Sequence, residues 1–213
     1  MRDRESAKGV ALVGAMMGLL VSTVVWTLSL TLWGDVSLPS DLLKATGFAA
    51  VWAGPHALAL AALALPDRYR AGIWLSTGVC VLLLAGMFLL SGFGFLLIPG
   101  AILLIVGGAR TPASGWAFVS PLVATVLIGA VSVAGALFLR DEACWYRVLG
   151  PERDTWVRRP FTTISGGPRT PEATCGAFAS PEGTALAVGA WLVPIAAVLL
   201  APRLPRHRVE VAG

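Results

Sequence analysis

The chain has 213 residues, of which 56% are hydrophobic and 13% are charged, and its formal net charge is +4. Soluble domains carry about 25% charged residues, so this composition excludes a water-soluble globular protein, whose surface so few charges could not cover. The basic residues are dispersed along the chain, which argues against nucleic acid as a partner.

The apolar residues fall in long blocks, and such blocks predict helices that cross a lipid bilayer. We predict an all-α polytopic membrane protein, a bundle of six transmembrane helices in a single domain that covers residues 1–213. The predicted spans are residues 9–33, 45–65, 72–90, 93–108, 115–139 and 183–201. The long polar segment between the last two spans, residues 140–182, is predicted to be an extracytoplasmic loop.

The first span follows a short basic segment and is longer than the apolar region of a signal peptide, which has about 7–15 residues. We therefore predict that it is retained in the mature protein. Gly14 and Gly18 have the GxxxG spacing that allows a second helix to approach closely.

The second span contains Pro55, which predicts a kink, and His56, the only histidine or charged residue within a predicted span. An ionisable residue within the membrane is a candidate functional site, here for lining a cavity, binding a metal or moving a proton. Because no acid, base or second histidine lies in a predicted span to act as its partner, we favour a neutral imidazole bonded to a backbone carbonyl or to a nearby hydroxyl. Alanines at every fourth position predict a smooth packing face: Ala49, Ala53, Ala57 and Ala61.

Residues 72–106 form one apolar run that would be roughly 50 Å long as a single helix, against a membrane core about 30 Å thick. The run must therefore break, and the paired glycines Gly92 and Gly94 predict the break. This gives the third span and a short fourth span, residues 93–108, for which a re-entrant hairpin is the alternative.

The positive-inside rule predicts the orientation of the six spans. Nine basic residues lie on the predicted inner side: Arg2, Arg4, Lys8, Arg68, Arg70, Arg110, Arg203, Arg206 and Arg208. The short outer connections contain only Lys44. Arginine outnumbers lysine 14 to 2, and Asn and Gln are absent, which indicates a GC-rich bacterial genome. We predict a bacterial plasma-membrane protein with both termini in the cytoplasm, and tryptophans such as Trp74 and Trp116 at the two membrane interfaces.

Cys144 and Cys175 lie near the two ends of the outer loop. Because disulfides form and persist outside the cytoplasm, we predict a disulfide between these two residues. The closed loop would contribute roughly 3–4 kcal/mol on the chain-entropy model. Apart from a short hairpin, we expect this cap to be mostly irregular.

Aromatic and basic residues inside the cap are candidates for a recognition surface, although a cap that only protects the bundle is an equal alternative. The candidate recognition residues are Trp145, Tyr146, Trp156, Arg158, Arg159 and Phe161.

Motifs of the common hydrolases and phosphate-binding loops are absent from the sequence, and the predicted spans contain no carboxylate for proton-coupled transport. We therefore expect no catalytic residues, no cofactor and no metal. The favoured function is a non-enzymatic membrane protein that presents its outer loop to a partner protein or assembles with other membrane proteins or with itself. The alternative is a small-molecule transporter or channel-like subunit with a mid-membrane cavity near His56.

Overall fold

A computed structural model describes the backbone of residues 2–32, 39–87, 94–113, 115–148, 155–160 and 173–201. Helices occupy all six predicted apolar stretches. Their bounds are α1 Arg2–Leu32, α2 Pro39–Ala61, α3 Asp67–Met87, α4 Gly94–Arg110, α5 Trp116–Phe138 and α6 Pro181–Leu200. A 3-10 turn, Ala62–Ala64, follows α2. Three strands lie between α5 and α6: β1 Arg140–Val148, β2 Thr155–Pro160 and β3 Ala173–Ala179.

Four of the helices are long and apolar enough to cross a membrane. The qualifying segments are Glu5–Thr27, Asp67–Gly86, Trp116–Phe138 and Pro181–Leu200. The apolar parts of α2 and α4, Ala49–Ala64 and Gly94–Arg110, are shorter. A membrane location therefore follows from four helices, whereas a count of six spans depends on α2 and α4.

The apolar run of residues 72–106 is divided, because α3 ends at Met87 and α4 begins at Gly94. The two helices pack side by side in opposite directions. A Cβ added to Gly78 in α3 would lie 2.8 Å from the carbonyl oxygen of Ala101, and one added to Gly108 in α4 would lie 3.0 Å from that of Ala71. The end of α4 therefore lies beside the start of α3, so α4 returns along most of the length of α3.

Glycines form the contact between α1 and α4. A Cβ added to Gly14 would lie 2.7 Å from the carbonyl oxygen of Gly100, and one added to Gly107 would lie 2.7 Å from the Cβ of Ala11. Both separations are well below the optimal carbon contact of about 3.5–4.0 Å, so only hydrogen fits at these positions. The prediction that a helix packs closely on the GxxxG spacing is confirmed, and the two helices are antiparallel.

The other glycine contacts set the directions of α2, α5 and α6. Gly135 in α5 lies against Gly183 in α6. One turn earlier in α5, Ser132 bonds to Ala187, which is one turn later in α6. The two helices are therefore antiparallel. Gly47 of α2 lies against Thr184 and Gly54 against Trp191, so α2 and α6 are parallel. Two glycines of α2 therefore lie against α6, whereas in the predicted alanine face Ala49, Ala53 and Ala57 are only half-buried.

The helices contact one another in the cyclic order α1, α4, α3, α5, α6, α2, with α2 also touching α3 and α5. In α3 and α5, Gly72 lies beside Phe118 and Cys80 beside Gly129, so these two helices are parallel. Together these contacts make the odd-numbered helices run in one direction and the even-numbered helices in the other. That arrangement is the one that successive crossings of a membrane require.

The strands form one antiparallel sheet in the order β2-β1-β3. Where the sheet meets the bundle, the backbone N–H of Ser180 donates to the carbonyl oxygen of Leu139 at 2.7 Å. The strand β3 contacts α2, α5 and α6. The prediction of a mostly irregular cap is wrong for the described part of residues 140–182, where the strands account for most of the chain, and the helices agree with the predicted all-α class. A short hairpin was predicted in this segment, but β1 escaped prediction because it has aromatic residues on both faces, Trp145 on one and Tyr146 on the other, which hides the alternation typical of a strand.

The position of Trp74 contradicts the prediction that this residue lies at a membrane interface. It is 1% exposed, and its Nε1 donates to the carbonyl oxygen of Ala59 at 2.9 Å. It therefore fills the bundle core instead of the membrane interface. Trp116, in contrast, is 79% exposed at the start of α5, as an interfacial residue would be.

Candidate functional site

His56 is completely buried in the C-terminal half of α2, directly after Pro55. Its Nδ1 lies 2.9 Å from the carbonyl oxygen of Trp52. Because a carbonyl oxygen only accepts, Nδ1 must carry the hydrogen, and in the neutral ring Nε2 is then an acceptor. Among the residues that the structure describes, Nε2 has no hydrogen-bond partner.

The glycine spacing of α1 closes the space around this imidazole. A Cβ added to Gly18 would overlap the His56 ring, including Nε2. The carbonyl oxygen of Gly18 is itself occupied, because it accepts the hydroxyl of Ser22 at 2.8 Å. The ring is thus packed directly on the α1 backbone, with no room for a solute between them.

A crevice of about 10 Å³ lies between α1, α2 and α4. Its lining consists of Val21, Ser22, Val25, Trp52 and Leu97. This volume is about that of one water-sized probe, whereas pockets for small molecules measure about 300–1,000 Å³. The crevice is therefore too small to hold a transported solute.

A polar contact that was not predicted joins α5 to α6. The indole Nε1 of Trp191 donates to the Ser132 hydroxyl at 2.8 Å, and that hydroxyl donates to the carbonyl oxygen of Ala187 at 3.1 Å. All three residues are buried. Sequence patterns offer no signal that pairs a serine with a tryptophan 59 positions away, since the pairing depends on helix rotation.

Arg70 forms a second contact that was not predicted, at the end of the bundle where α3 begins. Its guanidinium donates to the carbonyl oxygens of Ala62 at 3.3 Å and Leu63 at 3.0 Å, and it lies 3.0 Å from the Asp67 carboxylate. Lys8 of α1 lies 4.0 Å from the same carboxylate. A cation therefore caps the carbonyl end of α2 and its 3-10 turn, where it also complements the helix dipole.

The backbone register of the cap places Cys144 of β1 directly opposite Cys175 of β3. Directly opposed residues of antiparallel strands have Cα atoms about 4.5–5.5 Å apart, which is within the range of about 4.4–6.8 Å that disulfides span. Of the third cysteine, the structure shows a free, buried thiol at Cys80.

The same register divides the predicted recognition residues between the two faces of the sheet. Trp145 lies opposite Arg158, and the neighbouring pair on that face is Arg147 with Trp156. Tyr146 and Arg159 belong to the other face, with the cysteines. Phe161 lies outside the described residues.

In the described part of the chain, no three His, Cys, Asp or Glu side chains come close enough together to hold a metal ion. Comparison with family models, with curated proteins and with solved structures finds no match for this chain.

Proposed function

We propose that this chain is a six-span plasma-membrane protein of a bacterium that presents a disulfide-closed, three-stranded cap on its outer side for binding or assembly with another protein. The observation that carries the proposal is the register in which Cys144 lies opposite Cys175 in a sheet built directly on the ends of α5 and α6. Catalysis is not part of the proposed role.

The alternating helix directions support six spans. The helices α2 and α4, whose apolar parts are shorter, each run opposite to the helices before and after them in the chain, as crossing helices must, and α4 lies along α3 for most of its length. With 17 residues, α4 is about 25 Å long, which approaches the membrane core thickness of about 30 Å.

The distribution of basic residues supports an inward orientation for the end of the bundle that holds Lys8, Arg68, Arg70 and Arg110. Contacts between Lys8 and Asp67, and between Gly108 and Leu75, bring the start of α1, the start of α3 and the end of α4 together. Under the positive-inside rule this end faces the cytoplasm, which puts the sheet on the outer side. That compartment favours the proposed disulfide.

The packing around His56 favours this proposal over a transporter. A transport site at mid-depth would need a cavity, whereas the His56 ring is packed on Gly18 and the crevice described between α1, α2 and α4 holds about one water.

A site-specific photocrosslinker tests the docking role in native membranes. Placed at Trp156 in the cap, it should form a discrete adduct with another protein chain. Placed at Leu127, which is 61% exposed on α5 and would face lipid, it should not. If the crosslinked products from the two positions are equally weak and diffuse, or if no adduct forms at Trp156, the cap does not dock another protein.

A further inference from the structure

The order of the sheet places β2 at its outer edge. β3 contacts the helix bundle, β1 lies in the centre, and β2 pairs with β1 on one side. No other strand that the structure describes pairs with the opposite side of β2, so the backbone N–H and C=O groups on that side are bonded to no described strand. Such an edge is a template for a further strand.

The composition of β2 selects what can pair with that edge. The strand reads Thr155-Trp-Val-Arg-Arg-Pro160 and contains two arginines and no acid. Arg158 and Arg159 are consecutive, so the register places one on each face of the sheet. A strand added beside β2 would therefore meet a positive charge on both faces, because cross-strand neighbours share a face.

We propose that β2 accepts an extended, acidic segment of a partner protein as a fourth strand. Backbone hydrogen bonds to the β2 edge would hold the segment, and its carboxylates would lie opposite Arg158 and Arg159. This inference rests on the proposed docking function and names the partner's chemistry. A second copy of the chain is a poorer occupant, because two β2 strands would bring four arginines together without a carboxylate.

Proline at the end of β2 limits where the added strand can bind. Pro160 has no N–H to donate, so backbone pairing would involve the residues before it. The two arginines immediately precede Pro160, which places the charge contacts within the strand that remains able to pair.

The test uses the full-length protein in nanodiscs and fluorescent synthetic peptides in which two consecutive glutamates, one for each face of the sheet, are flanked by valines. One control peptide has lysine in place of each glutamate and tests the charge contacts. A second control peptide keeps the glutamates but carries N-methyl groups on alternate backbone nitrogens, and it tests the backbone hydrogen bonds. We expect the glutamate peptide to bind and the lysine and N-methylated peptides to bind about tenfold more weakly or not at all, given the size of cross-strand charge pairs and backbone bonds.

Two double variants, one that reverses the charge of both arginines and one that keeps it, test the charge preference independently of the unmodified protein. The double variant Arg158→Glu/Arg159→Glu should lose the glutamate peptide and gain the lysine peptide, whereas Arg158→Lys/Arg159→Lys should keep the original preference. Equal binding of the N-methylated and unmodified glutamate peptides would overturn strand addition, and so would no binding of any peptide. A crosslink from β2 to β2 of a second copy would also contradict the proposal.

The same variants separate this inference from the docking function on which it rests. If the Trp156 adduct in native membranes persists in Arg158→Glu/Arg159→Glu, the cap docks a protein but not through acidic strand addition. If the adduct is absent from the unmodified protein, the docking function itself fails.

Discussion

At the residue scale, the bundle depends on places where a glycine replaces a side chain. Gly18 is the clearest case, because the His56 ring occupies the space that a Cβ would need. The ring in turn bonds to the carbonyl oxygen of Trp52 one turn earlier in α2, which fixes the orientation of the imidazole relative to its own helix. A small residue in α1 and a buried polar ring in α2 therefore determine each other's position.

We expect Gly18→Ala to destabilise the protein by about 1–3 kcal/mol, the usual cost of overpacking, although alanine is otherwise the better helix former. Gly189→Ala is the matched control, because a Cβ at Gly189 would meet nothing within 4 Å. Thermal unfolding in detergent measures both variants. Equal melting temperatures for the two would show that His56 does not occupy the space beside Gly18.

The contact between Trp191 and Ser132 provides a second prediction at this scale. Ser132→Ala leaves the buried indole N–H without an acceptor and should cost about 1–2 kcal/mol. Trp191→Phe removes the donor, so the double variant should lose less stability than the sum of the single variants. Ser120→Ala, at an exposed position of α5, is the control. Additive losses would mean that the two residues are not coupled.

At the element scale, helix ends are joined by charged contacts that sequence patterns do not reveal. Arg70 is 7% exposed and binds the carbonyl oxygens at the end of α2. Its side chain belongs to α3, so the contact connects two helices across the turn between them. The positive-inside rule identified Arg70 as a marker of orientation but not as a helix cap.

We expect Arg70→Ala to destabilise the protein by about 1–3 kcal/mol, since it leaves the carbonyl oxygens of Ala62 and Leu63 without their donor and Asp67 without the nearer of its two cations. Arg70→Lys should recover only part of this loss, because an ammonium cannot reproduce the forked contacts of a guanidinium. Arg68→Ala, at the exposed position two residues earlier, removes the same charge and should have little effect. Similar losses for Arg68 and Arg70 would indicate a general charge effect and no specific cap.

The helices were predictable because length and hydrophobicity alone define an apolar helix, and the paired glycines marked the break between α3 and α4. Of the sheet, only a short hairpin was predictable, because Trp145 and Tyr146 are aromatic on opposite faces of β1 and obscure its period. The contacts of His56, Trp191 and Arg70 also required the structure, because each depends on which side of a helix meets its neighbour.

At the scale of the whole molecule, the alternating directions of the helices and the basic residues at one end of the bundle support one orientation in the membrane, with the sheet on the outer side. In the described part of the bundle, glycines bring the helices into close contact, and the crevice between α1, α2 and α4 holds about one water. The longest polar stretch of the sequence lies between α5 and α6. This is why the proposed function is assigned to the cap and not to the membrane interior.

The central claim is that the sheet lies outside the membrane and is closed by Cys144 and Cys175, and thiol labelling of intact cells tests it most directly. In a Cys80→Ala background, a membrane-impermeant maleimide should label the protein only after the cells are treated with reductant. Labelling without reductant would contradict the disulfide, and labelling only after the membrane is permeabilised would contradict the orientation on which the proposed function depends.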